Sequence, residues 1–241
     1  MKKTVWVLSV IAAGLVAGAL FAEGSSGASR RSLGYFGTGW HQVQIEEFQT
    51  RLDRSPVDYP RHGKDFWAVG GGGLFFSRHL VIGGEGYGLI GPRRSGGGYD
   101  SLLDGGYGMF QIGYDLLDSP DWTLYPLLGI GGGVFRWKIQ RTDFPGDFDR
   151  LIGFPEVGTT LENAFFMLQA SLGVDRWVRI GGRRDDRSGF FLVFGIRGGY
   201  SHTPAANRWE IRIHNDSYYL SNGPDLGLGG PFVRMTIGFG G

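Results

Sequence analysis

The stretch 230–239, close to the C-terminus, alternates between two kinds of side chain. One set is Val233, Met235, Ile237 and Phe239, and the other is Phe232, Arg234, Thr236 and Gly238. Successive side chains of a β-strand point to opposite faces, so this period of two predicts a strand with one apolar face and one charged face.

The same period recurs along the chain and predicts eight strands in all. They span approximately 32 to 43, 66 to 77, 79 to 91, 102 to 116, 122 to 137, 162 to 179, 189 to 202 and 229 to 239. A tilted strand needs roughly 9–11 residues to cross a membrane, and every one of these segments is long enough.

The predicted connections between the strands alternate in length. Short or moderate turns lie near 77–78, 119–121 and 181–188, whereas the mostly long, polar connections cover 44–65, 92–101, 138–161 and 203–228. Short turns at one end and long loops at the other are typical of a transmembrane barrel, with periplasmic turns and extracellular loops. We therefore predict an all-β fold, a transmembrane antiparallel up-and-down β-barrel of eight strands with both termini on the periplasmic side.

Charged residues decide which face of each strand meets lipid. An arginine that faces lipid near the bilayer midplane costs roughly 2–4 kcal/mol, so Arg197 and Arg234 are predicted to point into the lumen. Glu85 is the nearest available counter-charge, and an unpaired buried charge is costly. We predict a lumenal polar cluster in which Glu85 meets one or both arginines, joined by Gln111 or Gln169.

Aromatic residues near the strand ends predict two interfacial girdles. Toward the long loops they are Trp40, Trp67, Trp137 and Tyr200, and toward the short turns Trp122, Trp177, Phe190 and Phe239. The alternative is a soluble sandwich or lipocalin-like barrel whose aromatic residues pack inside. The 45 glycines favour a narrow, strongly curved barrel filled by side chains, so we expect no open channel.

The N-terminal residues are typical of an export signal. Lys2 and Lys3 precede an apolar run that ends at Ala22, so we predict a signal peptide at 1–22, a short periplasmic segment at 23–31 and the barrel at 32–241. The alternative is a retained membrane anchor, because the apolar run is nearly long enough to span. No cysteine is present, which excludes a disulfide framework.

Composition and motifs narrow the function further. The signal peptide holds two lysines and no acids, so its removal leaves 22 basic and 23 acidic residues, a balance that argues against nucleic-acid binding. Residues 86–91 match G-x-G-x-x-G, but a loop follows them where the dinucleotide motif needs a helix, and we predict no cofactor. The five histidines are dispersed, so no metal cluster is expected. Weak helical spacing over 43–52 suggests a segment that folds over the barrel mouth.

From Ser32 to Phe239 the chain resembles the small eight-stranded outer-membrane barrels of the OmpA-domain, OmpX or OmpW-like kind. The resemblance depends on the architecture, the signal peptide and the closing strand. It implies a location in the bacterial outer membrane, contact with lipid and lipopolysaccharide, and recognition by the barrel-assembly machinery. Phe239 is followed by two glycines, whereas this family usually ends on the aromatic residue.

The function predicted from these observations is a non-enzymatic envelope protein, a rigid barrel whose extracellular loops bind an unidentified ligand. One alternative is an enzyme that modifies lipid A, with His202, Ser201 and Glu210 imitating a catalytic triad. The other is a small transporter of apolar compounds.

Overall fold

The structure is a computed structural model that describes residues 30–117, 119–142, 158–181, 189–204, 208–213 and 216–241. The predicted signal peptide, 1–22, lies outside the described residues, as does most of the predicted segment 23–31. The elements are β1 Arg30–Gln44, α1 Glu46–Asp53, β2 Asp65–Ser77, β3 Leu80–Ile90, β4 Arg94–Gly96, β5 Tyr99–Tyr114, β6 Trp122–Arg141, β7 Gly158–Gly181, β8 Phe190–His202, β9 Arg208–Ile213, β10 Asp216–Leu220 and β11 Gly227–Gly240.

Eight of the strands form a closed antiparallel ring in the order β1, β2, β3, β5, β6, β7, β8 and β11, with β11 pairing back onto β1. Closure leaves the ring without a free edge, so the backbone groups of each strand find partners on both sides. The predicted ring of eight antiparallel strands is confirmed, although the sheet holds eleven strands within the described residues.

Three short strands were not predicted, and all lie where long loops were expected. Strand β4 pairs with β5. Strands β9 and β10 form a hairpin, and β9 pairs with the first part of β7, from Leu161 to Ala164. Strand β7 therefore pairs with β9 near its start and with β8 farther along, from Leu168 to Gly181.

The ring has two unlike ends. The first residues of β1 pair with the last of β2 and β11, so the start of β1 and the end of β11 share an end with the turn at Arg78 and His79. We call this the short-turn end. The opposite, long-loop end carries α1 and the β9–β10 hairpin.

Exposure alternates along the ring strands as the charged residues predict. On β11, Met235 is 66% exposed and Arg234 only 1%. On the face opposite the inward polar residues of β5, β7 and β8, large side chains are at least two-fifths exposed, among them Phe110, Ile112, Tyr114, Phe166, Leu168, Leu172, Phe194, Ile196 and Tyr200. The inward side chains form two apolar clusters, one toward each end of the lumen.

Helix α1 closes the long-loop end, which agrees with the helical spacing over 43–52. Its acidic residues Glu46 and Glu47 lie in the first turn and Arg51 in the last, which suits the helix dipole. Phe48 and Leu52 lie one turn apart and are both buried in the apolar cluster at the long-loop end. Within the described residues, no helix is both long and apolar enough to cross a membrane.

The two glycines after Phe239 continue the closing strand. Gly240 pairs with Leu33, and a β-carbon added to it would lie 2.6 Å from the Trp177 ring. Gly241 and Ser32 exchange backbone hydrogen bonds of 2.8 and 3.1 Å. The space beside Trp177 thus admits only glycine at position 240.

Candidate functional site

The centre of the lumen holds three buried charged side chains, each from a different strand. The Arg234 guanidinium of β11 donates to Glu85 Oε1 of β3 at 2.6 Å. Arg197 Nη1 of β8 lies 3.6 Å from Glu85 Oε2. All three side chains are at most 1% exposed, so solvent does not screen their attraction. The carboxylate of Glu85 ties β3 to β8 and β11 across the barrel.

A second carboxylate completes the charge balance. The Tyr125 hydroxyl donates to Asp175 Oδ2 at 2.5 Å, and Arg197 Nε donates to the Tyr125 oxygen at 3.2 Å. The Tyr35 hydroxyl donates to Glu85 Oε2 at 3.0 Å. Two guanidiniums therefore face two carboxylates, and tyrosine hydroxyls link them.

Aromatic rings support both guanidiniums. The Arg197 guanidinium carbon lies 3.9 Å from the centroid of the Tyr35 ring, and that of Arg234 lies 4.2 Å from Phe232 and 4.5 Å from Tyr87. Such cation–π contacts are strongest where water is excluded. The rings thus supply part of the favourable environment that water would give to a solvated arginine.

The two glutamines named with the cluster behave differently. Gln169 Oε1 accepts from Arg234 Nη2 at 3.2 Å, and Gln169 Nε2 lies 3.5 Å from Glu85 Oε1. Gln111 is buried but donates to Met109 Sδ at 3.5 Å instead of to the ions. Gln169 therefore extends the charged network, and Gln111 only borders it.

Glycines on the inner face give these large side chains their space. A β-carbon on Gly72 would lie 2.7 Å from the Tyr35 hydroxyl and 2.8 Å from the Glu85 β-carbon. One on Gly195 would lie 2.5 Å from the Thr236 hydroxyl and would also collide with Asp175. The charged layer thus requires glycine in the strands beside it.

The residues suggested as a catalytic triad are not brought together. Ser201 is fully buried and points into the lumen, whereas His202, the next residue of β8, is exposed on the outer face. Glu210 lies on β9, opposite Glu162 of β7. Because consecutive strand residues face opposite sides, Ser201 and His202 cannot form a nucleophile–base pair without breaking β8.

Ser201 instead approaches His41. Its hydroxyl lies 3.2 Å from His41 Nε2 and 3.2 Å from Gln169 Oε1. Serine beside histidine is an arrangement that can activate a nucleophile, but both residues are 0% exposed. In this conformation no substrate reaches the pair, so the contact joins His41 to the polar network.

A second serine–histidine contact fastens loop 45–64 to the ring. His62 Nε2 lies 2.7 Å from Ser101 Oγ, and Trp137 Nε1 donates to the same oxygen at 2.8 Å. Burial, and to a lesser degree the nearby Arg94 guanidinium, lowers the pKa of His62 from 6.5 to about 4. The imidazole is therefore neutral at pH 7, as a buried ring without a carboxylate partner must be.

Six of the eight residues predicted as girdles lie on the outer side of the ring or at its rim. Trp67, Tyr200, Trp122, Phe190 and Phe239 are all at least 43% exposed, and Trp40 is half-buried with its indole bonded to Asp65. The Phe190 and Phe239 rings stack at the short-turn end, 5.3 Å apart.

The other two girdle assignments are wrong. Trp137 and Trp177 are 7% and 2% exposed and point into the lumen. Trp177 occupies the same parity of β7 as Gln169, so the reasoning that turns Gln169 inward also turns Trp177 inward. Both indoles donate to inner hydroxyls, that of Trp137 to Ser101 and that of Trp177 to Thr123 at 3.2 Å.

Residues important to the lumen were missed by the sequence reasoning: Tyr35, His41, Tyr125 and Asp175. The signal for Asp175 was present, because it has the same parity on β7 as Gln169 and Ser171. The sequence carries no signal that places Tyr35 and Tyr125 in the lumen, because an aromatic side chain suits lipid and lumen equally well. Among the described residues, no group of three or more His, Cys, Asp or Glu side chains could hold a metal ion.

No protein-family model matches the chain, and no curated protein matches it. A solved structure of the outer membrane protease OmpT from Escherichia coli is similar over 90% of this chain and 98% of its own, with 11% identity and a TM-score of 0.41.

That comparison corrects one prediction. We predicted a non-enzymatic protein from the barrel architecture, and this inference is wrong, because a barrel similar to this chain belongs to a protease. At this identity and TM-score the similarity assigns no activity and no catalytic residue to the present chain. The resemblance to OmpA-domain, OmpX or OmpW-like barrels in particular stays a prediction.

Proposed function

We propose that this chain is an integral β-barrel of the bacterial outer membrane with a sealed lumen, and that its long-loop end presents a binding surface outside the cell. The observation that carries the proposal is the apolar outer face of the closed ring. An exposed apolar patch larger than a few hundred Å² is rare on a soluble monomer, and here apolar side chains are exposed on every strand of the ring.

The outer face of the ring changes from apolar to charged toward the long-loop end, as a bilayer requires. On β6, Leu128 and Ile130 are 66% and 51% exposed, while Arg136 and Lys138 follow farther toward the long-loop end on the same face. Arg136 pairs with Glu162 of β7, at 3.1 Å. Lipid would cover the apolar belt, and the ion pair would lie at the level of the polar headgroups.

The interior supports a barrel without a channel. The charged layer lies between two apolar clusters, with Tyr125 and Trp177 toward the short-turn end and Phe48 of α1 covering the long-loop end. A small eight-stranded barrel has just enough interior for side chains. A transporter of apolar compounds, the third function suggested by the sequence, would need this packing to open.

The long-loop end provides the proposed binding surface. Strands β6 and β7 continue beyond the ring contacts of β8, and the β9–β10 hairpin adds to them. In strand β10 of the hairpin, opposite Ile211 and Glu210 of β9, Tyr218 and Tyr219 are 53% and 70% exposed. Exposed aromatic residues on a rigid scaffold are typical of binding surfaces. Lipopolysaccharide and an extracellular ligand are the proposed partners there, and the barrel-assembly machinery would recognise β11.

Cell fractionation combined with heat-modifiable gel migration tests this proposal. We expect the full-length protein in the outer-membrane fraction, and a faster-migrating band that shifts when the sample is boiled. Liposomes that contain the folded barrel should retain a small encapsulated dye. Recovery from the soluble periplasm would contradict the membrane assignment, and dye release would contradict the sealed lumen.

A further inference from the structure

A cavity of about 280 Å³ lies at the short-turn end. Phe76 and Thr123, both buried, form its floor, and the exposed residues Arg78 and His79 lie at its rim. Arg31 lines its side. Because Arg31, Phe76 and Thr123 share the inward parity of their strands, the cavity belongs to the lumen and not to the lipid-facing surface.

The two arginines of the cavity carry charge that the described residues do not neutralise. Neither Arg31 nor Arg78 lies within ion-pairing distance of a carboxylate in the part of the chain that the structure describes. The Arg31 guanidinium is held instead over the Trp177 ring, 5.5 Å from its centroid. The Trp177 contact positions this cation at the cavity wall without consuming its hydrogen-bond donors.

Among the described residues, Asp115 is the one carboxylate that lines the cavity, and backbone groups engage it. Its Oδ1 atom accepts from the backbone N–H groups of Leu117 and Leu124, at 3.2 and 3.3 Å. The side chain organises the connection between β5 and β6, and the residue is 8% exposed. It therefore serves the backbone of that connection, and no carboxylate among the described residues takes up the donors of the two arginines.

Arg78 occupies a conformation that an arginine rarely adopts. Its φ angle is +54°, in the left-handed region that favours glycine or asparagine. Backbone strain of this kind costs of order 1 kcal/mol or more and is common at binding sites. The turn between β2 and β3 thus carries a long cationic side chain at a position where glycine would fit at lower cost.

We propose that this cavity binds a small solute with a carboxylate or phosphate group, and that Arg31 and Arg78 hold the anion while Phe76 and Thr123 contact the rest of the molecule. The volume suits a small organic anion, since it lies just below the range of about 300–1,000 Å³ usual for ligand pockets. Guanidiniums bind such oxyanions through paired hydrogen bonds. If the barrel lies in the outer membrane as proposed, the site faces the periplasm.

An NMR titration of the detergent-solubilised full-length protein with inorganic phosphate tests the site, with sodium chloride at matched ionic strength as the reference. We expect saturable shifts of the backbone signals around Arg31, Arg78 and Asp115. The double variant Arg31→Gln/Arg78→Gln should bind phosphate at least about tenfold more weakly.

Arg176→Gln is the matched control, because Arg176 lies at the same end but outside the cavity, 4.0 Å from Asp121. It should change the affinity by less than twofold. Heat-modifiable migration verifies that every variant folds. Shifts that do not saturate, or that persist in the double variant, would overturn the proposed site while leaving the membrane proposal untouched.

Discussion

The two ends of the lumen are closed by different means. At the short-turn end Tyr125, Trp177 and Phe76 are side chains of the ring strands, and the Phe76 ring contacts each of the other two edge to face. At the long-loop end Phe48 belongs to a separate helix, α1, and its ring stacks against Trp209. The long-loop closure can therefore open by moving one segment, whereas the short-turn closure can open only if the ring itself is disturbed.

Loss of the central carboxylate should have the largest effect, because the charged layer belongs to the ring. Glu85→Gln leaves two buried arginines with one counter-charge, and breaking a buried pair in this way typically costs about 3–5 kcal/mol. We expect a large fall in the midpoint of urea unfolding in detergent, with both ends of the barrel affected.

Asp53→Asn is the matched control for Glu85→Gln. Asp53 also pairs with an arginine, Arg61, at 2.7 Å, but that pair is exposed. Exposed pairs contribute about 1 kcal/mol or less, so the midpoint should barely move. Equal effects of the two variants would contradict the central role given to Glu85.

Truncation of Phe48 should act locally. Phe48 is 1% exposed, and removing a buried phenyl ring typically costs about 3–5 kcal/mol. Because α1 is not part of the ring, Phe48→Ala should raise hydrogen exchange of residues 45–64 and leave the exchange of β1 to β3 unchanged. Phe110→Ala is the control, since that ring faces outward. Ring strands that exchange faster in Phe48→Ala would show that the two closures are not independent.

Low pH should weaken the docking of residues 45–64 through protonation of His62. Its pKa is about 4 in the folded state and near 6.5 when unfolded, so the contribution of neutral His62 is present above pH 6.5 and is lost as the pH falls toward 4. Between pH 8 and 5 the docking of loop 45–64 should weaken by about 1–2 kcal/mol.

Hydrogen exchange of that loop, corrected for the intrinsic pH dependence, measures the effect. His62→Asn keeps a side chain that can bond to Ser101 and does not titrate, so its loop should lose the dependence on pH. The dependence would have to come from another group if it survived in this variant. Burial and the cationic Arg94 both oppose protonation, which agrees with the sign of the shift.

The smallest effect is expected on the outer surface. The Arg136 side chain is 52% exposed in its pair with Glu162. Arg136→Gln should change the free energy of unfolding by less than about 1 kcal/mol. A loss as large as that of Glu85→Gln would mean that this face is buried against another molecule.

The ring could be predicted from the sequence because a few polar residues decide each register. Arg234, Arg197 and Gln169 each select the inner face of a strand, and the two-residue period then orients the rest. The prediction failed where aromatic residues were assigned by position along the strand without their parity, as with Trp137 and Trp177.

The links across the lumen could not be predicted. Tyr125 and Asp175 are bonded because β6 and β7 are neighbours in the ring, but Glu85 meets Arg234 only because the barrel is narrow enough for side chains to reach across it. The β9–β10 hairpin was missed despite the alternation of Trp209, Ile211 and Ile213, because the whole connection was interpreted as one polar loop.

Adjacent single cysteines on β11 test the central claim most directly, since the chain has no cysteine of its own. Met235 is 66% exposed on the outer face, and the next residue, Thr236, is 7% exposed toward the lumen. In lipid bilayers, a fluorophore on Met235→Cys should be quenched by brominated lipid, while Thr236→Cys should resist labelling until the protein is unfolded. Labelling of Met235→Cys by a water-soluble maleimide without lipid quenching, or rapid labelling of Thr236→Cys, would contradict a membrane barrel with this register.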